Sequence, residues 1–198
     1  MDEVDDCDIG AWLASRPTLT EERNHPNHWF NRGADLHASA GALWYAMQHD
    51  EQKKIARELG FGRGYSLGVA CWPVYHMMCG LALEVIMKAV LVQRSSHVEK
   101  THSLVKLVEL LRLTKSADEL SMLRYYEQAV VWAGRYPVPT RCTDEKLKEY
   151  WSLAGDVLTS PVKMSSDSTI EIRTGNGASD WERFSAMWSE IASLFKHT

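Results

Sequence analysis

One stretch constrains this chain more than any other: residues 71–94, CWPVYHMMCGLALEVIMKAVLVQR. Over 74–92 it is apolar on nearly every face of a helix, and Glu84 and Lys88 are its only charges before Arg94. A helix apolar all round lies either among other helices or in a bilayer. Length admits the bilayer, which about 20 residues span. The charges argue against it, because Glu84 and Lys88 would each cost roughly 2.5–3.5 kcal/mol at the bilayer centre. His76 and Gly80 weaken a membrane span further. Glu84 precedes Lys88 by four residues, the favourable order for an ion pair along a helix. The stretch therefore reads as the central helix of a bundle, from near residue 67 to near 93. Pro73 falls in its first two turns, where a missing N–H does least harm.

The rest of the chain is patterned to surround that helix. Leu36, Ala40, Leu43, Trp44 and Met47 share one helical face and predict a helix from residue 28 to about 59, unless His49 and Asp50 break it; Gly60 is its stop. Gly60, Gly62, Gly64 and Gly68 form a connector. A phosphate loop would need a strand before it, and here a helix precedes, so the connector reads as a flexible helix–helix link. Leu104, Leu107, Val108 and Leu111 mark a short helix. Ser116 and Glu119 form a capping box that opens a helix running to about residue 135, closed by Pro137 and Pro139. Thr143 caps the next, with Asp144 and Glu145 in its first turn. Residues 160–179 are rich in Ser, Gly and Asp. There 169–173 alternates like a strand, but a strand without a partner is marginal, so the segment reads as a loop. Ser179 and Glu182 predict a second capping box before a last helix with Trp181, Phe184, Trp188, Ile191 and Phe195 on its inner face. The sum is an all-α chain: an up-and-down bundle of four or five helices with an additional C-terminal helix. It divides into an irregular acidic segment (1–27, with a helical turn over 8–14), the bundle (28–160), a polar loop (161–179) and the last helix (180–198).

Composition excludes several function classes. The net charge of -4 offers no global attraction to nucleic acid, so any such contact needs a local basic patch, and none stands out in sequence. The MDEVDDCD start is acidic and reads as a solvated terminus. Cys7, Cys71, Cys79 and Cys142 show no CxxC pair and no disulfide-rich density, and the N-terminus does not read as a signal peptide, so the expected location is the cytoplasm. His25, His28 and His37 lack a convincing carboxylate or thiol to complete a metal site, and His76 lies off the face shared by Cys71 and Cys79. No metal and no cofactor are expected.

Three segments in order, GLALEVIMKAVLV (80–92), THSLVKLVELL (101–111) and YYEQAVVWAGRYPVP (125–139), resemble the HEPN domain family, over roughly residues 28–160. The resemblance implies a small helical bundle, a homodimer in a prokaryotic toxin–antitoxin or defence setting, and RNA cleavage or nucleotide binding. Many such proteins are metal-independent ribonucleases with an Arg-x4-6-His motif. A histidine moves the 2′-hydroxyl proton or protonates the leaving oxygen, and an arginine holds the pentacovalent phosphate. The motif's place falls near 135–143 here, where Arg135 and Arg141 are present but no histidine follows until His197.

Two pattern matches lie elsewhere, Arg23-x4-His28 and Arg32-x4-His37, and supply the catalytic candidates Arg23, His28, Arg32 and His37. Chance alone predicts roughly one or two such matches. Arg32 and His37 would also point about 140° apart on a helix that turns about 100° per residue. The ligand- or partner-binding candidates are Glu84, Lys88 and His102, which match the family's Glu, Lys and His, with Arg135, Tyr136 and Arg141 at the cleft mouth. Beside these stand plainer readings: an ion pair tying helices together for Glu84 and Lys88, a packing or capping role for His102, and a helix C-terminal cation for Arg135. The expectation is an HEPN-like protein that binds RNA, a nucleotide or an antitoxin-like protein partner, with a degenerate or absent ribonuclease motif. A metal-independent endoribonuclease and a non-catalytic dimerisation module remain as alternatives.

Overall fold

A computed structural model describes residues 10, 15–95, 100–139, 142–163 and 171–197. The helical turn expected over 8–14 lies outside these residues apart from Gly10. The first helix, α1 (Leu19–Arg23), is held by a capping box in which Thr18 and Glu21 bond each other's backbone N–H groups. A second, α2 (Pro26–Met47), begins with proline at its first position, where no N–H is needed. Of the two outcomes left open for residues 28–59, the break is the one found: it falls at Gln48, whose backbone is extended (ψ 145°), and α3 (His49–Glu58) starts afresh with Asp50 and Glu51 in its first turn. Carboxylates favour a helix start, so this polar stretch is worth more at a new N-terminus than inside a long helix.

The central helix also begins later than expected. A single turn, α4 (Leu67–Ala70), is followed at Cys71 by a bend and then α5 (Trp72–Ser95). A helix running straight through would lack the Pro73 N–H bond to the preceding turn, and the chain turns there instead. The inner positions of α5, Leu83, Ile86, Met87 and Val90 among them, are fully buried. Among the described residues α5 is the one helix long and apolar enough to cross a membrane, and 67% of that apolar window is buried against the rest of the protein. Close approach is built in at two glycines: a Cβ on Gly33 of α2 would meet the Ile86 backbone at 3.3 Å, and one on Gly80 would lie 2.8 Å from the Tyr126 carbonyl.

After α5 come α6 (Leu104–Leu111) and α7 (Ala117–Gln128), the latter opened by the Ser116–Glu119 capping box as expected. The end of α7 widens into a π turn over Ala129–Ala133. Thr143 caps α8 (Asp144–Leu158). The loop expected over 161–179 is partly an antiparallel ribbon, β1 (Thr159–Lys163) against β2 (Glu171–Gly175), with Pro161 opposite Arg173. Of the alternating stretch 169–173, residues 171–173 lie in β2 and 169–170 fall outside the described residues; β2 finds its partner in residues the sequence assigns to a helix end and a loop. Arg173 pins the ribbon to α8, donating to Thr159 Oγ1 at 2.8 Å and to the Gly155 carbonyl at 3.0 Å. The last helix, α9 (Trp181–Ala192), is led by Asp180 with no side-chain cap. The second capping box is absent because the helix opens one residue later than expected, with Asp180 rather than Ser179 at its N-cap; Ser179 is buried, and its carbonyl accepts the Tyr75 hydroxyl at 2.9 Å. The fold of the described residues is all-α around α5, apart from that one ribbon.

Candidate functional site

Helix α5 and the start of α6 bring three of the sequence-predicted residues together. Lys88 Nζ donates to Glu84 Oε1 at 2.8 Å, one turn apart on α5. His102 Nδ1 lies 3.1 and 3.0 Å from the two oxygens of the same carboxylate. Glu84 and Lys88 are 5% and 8% exposed, whereas the His102 side chain is 67% exposed. A buried ion pair therefore holds a solvent-facing imidazole. The backbone beneath His102 is also held: Ser103 N–H donates to Thr101 Oγ1 at 3.0 Å, and Leu104 N–H donates to Glu127 Oε2 of α7 at 3.0 Å.

Beside this point a groove of about 680 Å³ opens between the start of α6, α7 with its π turn, and α8. Arg124 and Lys146 line it beside Glu127 and Glu149, together with Gln128, Tyr150, Ser103 and the largely buried Trp132. Trp132 Nε1 donates to Gln128 Oε1 at 2.9 Å, which leaves the Gln128 amino group to face other acceptors. The Tyr150 ring stands edge-on to Trp132 at 4.8 Å and stacks on Tyr125 at 6.1 Å. Burial raises the Tyr150 phenol above its usual range, so it stays a neutral donor. The arrangement offers two cations beside two carboxylates, the partly open ring of Tyr150 and an amide for a polar edge. A second cavity of about 700 Å³, between α7, α8 and α9, is rich in carboxylates (Asp118, Glu119, Asp156, Glu190) and suits no anion.

The remaining predicted residues lie elsewhere or apart. Arg135 follows the π turn, donates to the Val131 carbonyl at 2.6 Å and lies 5.2 Å over the Tyr136 ring; both residues are exposed. Arg141 lies outside the described residues. The longest spacing the family motif allows, counted from Arg135, ends on Cys142, an exposed free thiol where a histidine would stand. Arg23 is exposed at the end of α1, and His28 is exposed in the first turn of α2, edge-on to His25 at 6.3 Å. Arg32 and His37 are not brought together. Arg32 faces solvent beside Asp35, whereas His37 is stacked between Trp181 at 4.7 Å and Trp188 at 4.2 Å of α9. Burial lowers the His37 pKa, and its Nε2 is engaged with Ser185 Oγ at 3.0 Å. It holds α9 against α2 and has no open face for a substrate. Among the described residues no group of three His, Cys, Asp or Glu side chains could hold a metal ion.

Residues 71–164 match the family model of the HEPN domain. The chain carries an HEPN domain. No curated protein and no solved structure matches the chain significantly. The HEPN match begins at the bend before α5 and ends just past β1, so α2 and α9 lie outside it, and it is shorter than the roughly 28–160 that the sequence segments suggest. The Glu84–Lys88–His102 cluster and the whole lining of the groove lie within it. Sequence reasoning missed Arg124, Gln128, Trp132, Lys146 and Tyr150. A signal was there: Arg124, Gln128 and Trp132 recur every four residues, and so do Lys146 and Tyr150, as stripes beside the apolar ones.

Proposed function

We propose that this HEPN-domain protein binds RNA, seating one nucleotide in the groove between α6, α7 and α8, without the family's Arg-x4-6-His motif. The observation that carries the reading is the joint presence of Arg124, Lys146, Trp132 and Tyr150 around about 680 Å³, a volume in the range of small-molecule sites. Cations track phosphate, and aromatic rings stack bases of any sequence for about 1–3 kcal/mol per base. The setting that goes with the family resemblance is prokaryotic defence or toxin–antitoxin control in the cytoplasm. Exposed Val131, Tyr136 and Val138 beside the groove support a second reading, in which the same face meets a second copy or an antitoxin-like partner.

The test is fluorescence anisotropy of a labelled mixed-sequence RNA in EDTA. Wild type binds at micromolar concentration or tighter, affinity falls as salt rises, and Arg124→Ala with Lys146→Ala weakens it at least about tenfold. A wild-type protein that leaves the anisotropy unchanged defeats the reading. Sedimentation of the same protein, with Val131→Asp and Tyr136→Ala for comparison, tests the homodimer.

A further inference from the structure

The glycine-rich connector after α3, expected as a flexible link, is folded and carries an exposed apolar tip. Gly60 (φ 77°) and Gly64 (φ 85°) take the left-handed backbone that closes two turns. In these turns Phe61 N–H donates to the Ala56 carbonyl at 2.9 Å and Tyr65 N–H to the Gly62 carbonyl at 3.2 Å. Gln52 Oε1 of α3 then accepts from Ser66 Oγ at 3.1 Å and from Gly68 N–H at 3.2 Å, so the chain returns to the helix it left. The rings of Phe61 and Tyr65 stack with centroids 4.4 Å apart. Both rings are exposed, and the aliphatic side chains that flank them in sequence more so: Leu59 is 62% and Val69 75% exposed. A Cβ on Gly60, Gly62 or Gly64 would meet nothing within 4 Å, so the tip stands clear of the rest of the protein. Charge is sorted along the same stretch. Asp50 and Glu51 lie in the first turn of α3, whereas Lys53, Lys54 and Arg57 lie in its last two turns and Arg63 in the connector. All four cations are exposed, and Glu58 is the one carboxylate among them. Among the described residues none of the four takes part in an ion pair.

We infer that this tip docks the protein on an anionic lipid surface, with Leu59, Phe61, Tyr65 and Val69 in the headgroup boundary and the four cations facing lipid phosphates. Apolar burial and the attraction of Lys and Arg to anionic headgroups reinforce each other in that setting. The pairing of the two features selects the occupant. RNA would use the cations and the two rings but leave Leu59 and Val69, which have no π face, in water. A second copy would set these cations against the same cations across a two-fold axis. A lipid surface takes a protruding apolar tip without needing a matching pocket, and its charge complements the cations. This is peripheral attachment, distinct from the membrane span that Glu84 and Lys88 argue against in α5. The tip lies outside residues 71–164 and lines neither cavity, so the inference is independent of the RNA-binding reading.

The experiment is co-sedimentation of the full chain with vesicles of phosphatidylglycerol and phosphatidylcholine in equal parts, beside vesicles of phosphatidylcholine alone. Wild type is expected to sediment with the first and not with the second, and to be released as salt rises. Arg57→Ala with Arg63→Ala is expected to weaken binding about twentyfold, at roughly fivefold per cation. Leu59→Ser with Phe61→Ser, both at exposed positions, is expected to weaken it at least about tenfold while leaving the circular dichroism unchanged. The groove variant Arg124→Ala with Lys146→Ala is expected to bind vesicles as wild type does. A wild type that stays in solution with the anionic vesicles overturns the inference. Equal sedimentation with both vesicles overturns it too, and so do tip variants that bind like wild type. RNA anisotropy and sedimentation velocity without lipid run in parallel. Tip variants that lose RNA binding or self-association, with no vesicle binding by wild type, give the tip to RNA or to a second copy and overturn the lipid inference. The RNA reading of the groove stands or falls on the groove variants alone.

Discussion

Two hydrogen-bonded histidines meet α5 eight residues apart, and they are opposites. His76 lies on α5 itself, 1% exposed, with Nδ1 2.9 Å from the Tyr125 hydroxyl. Its Nε2 has no hydrogen-bond partner, and the Trp72 ring stands nearly perpendicular to it at 4.5 Å. Burial pushes its pKa down to about 3, so the ring is neutral at physiological pH. His102 reaches α5 from outside, its partner is a carboxylate rather than a phenol, and its ring is open to water. The comparison teaches that hydrogen bonding alone does not make an imidazole chemically useful. A partner that accepts a proton and a free edge in solvent are both needed, and of these two rings only His102 has both.

The largest way to break this contrast is to remove the cation under His102. Lys88→Met leaves the buried Glu84 with the His102 imidazole but without its ammonium partner and is expected to cost about 3–5 kcal/mol in urea unfolding. The double variant Glu84→Leu/Lys88→Met is expected to recover most of that loss while losing the support of His102. A single variant as stable as wild type would mean that Glu84 is not held in the interior.

Acid sharpens the contrast next. His76 has a folded-state pKa of about 3 against an ordinary 6.5, so the unfolded chain binds the extra proton first. Its contribution is complete above about pH 6.5 and is lost as the pH falls towards 3, amounting to about 2 kcal/mol by pH 5. His37 is shifted in the same direction by burial and adds to the slope. Urea midpoints between pH 7 and 5 are expected to fall, and less steeply in His76→Phe; equal slopes would contradict the buried neutral ring.

A smaller effect is expected from Tyr125→Phe, which leaves His76 Nδ1 without its partner and costs about 1–2 kcal/mol by the same measurement. The smallest is Arg32→Ala. Arg32 stands 4.0 Å from Asp35 on an open surface, and its loss is expected to change neither stability nor RNA handling measurably.

Much of the fold was legible because it follows from local chemistry. The apolar run of α5, the stripe of α2, the Ser116 and Thr143 caps and the prolines after α7 all act within a few residues of themselves. The errors were non-local. Residues 159–163 become a strand only because 171–175 lie opposite, a pairing that neither segment announces alone. Ser179 lies one residue outside the N-cap that the last helix uses, buried where its carbonyl meets Tyr75, more than a hundred residues earlier. For the site, the Glu84–Lys88 pair was readable from spacing. Its contact with His102, the aromatic sandwich around His37 and the groove between α6, α7 and α8 were not.

By itself the sequence determined an all-α chain wrapped around one apolar helix, an ion pair on that helix, and HEPN segments without a histidine in the motif's place. Periodicity, capping and charge spacing act along a single helix and survive without knowledge of its neighbours. Only the tertiary structure decided which histidine is sealed and which is open, because burial and hydrogen-bond partners depend on what packs across from each ring. At His102 that is a carboxylate from a helix 18 residues earlier. At His76 it is a phenol 49 residues later.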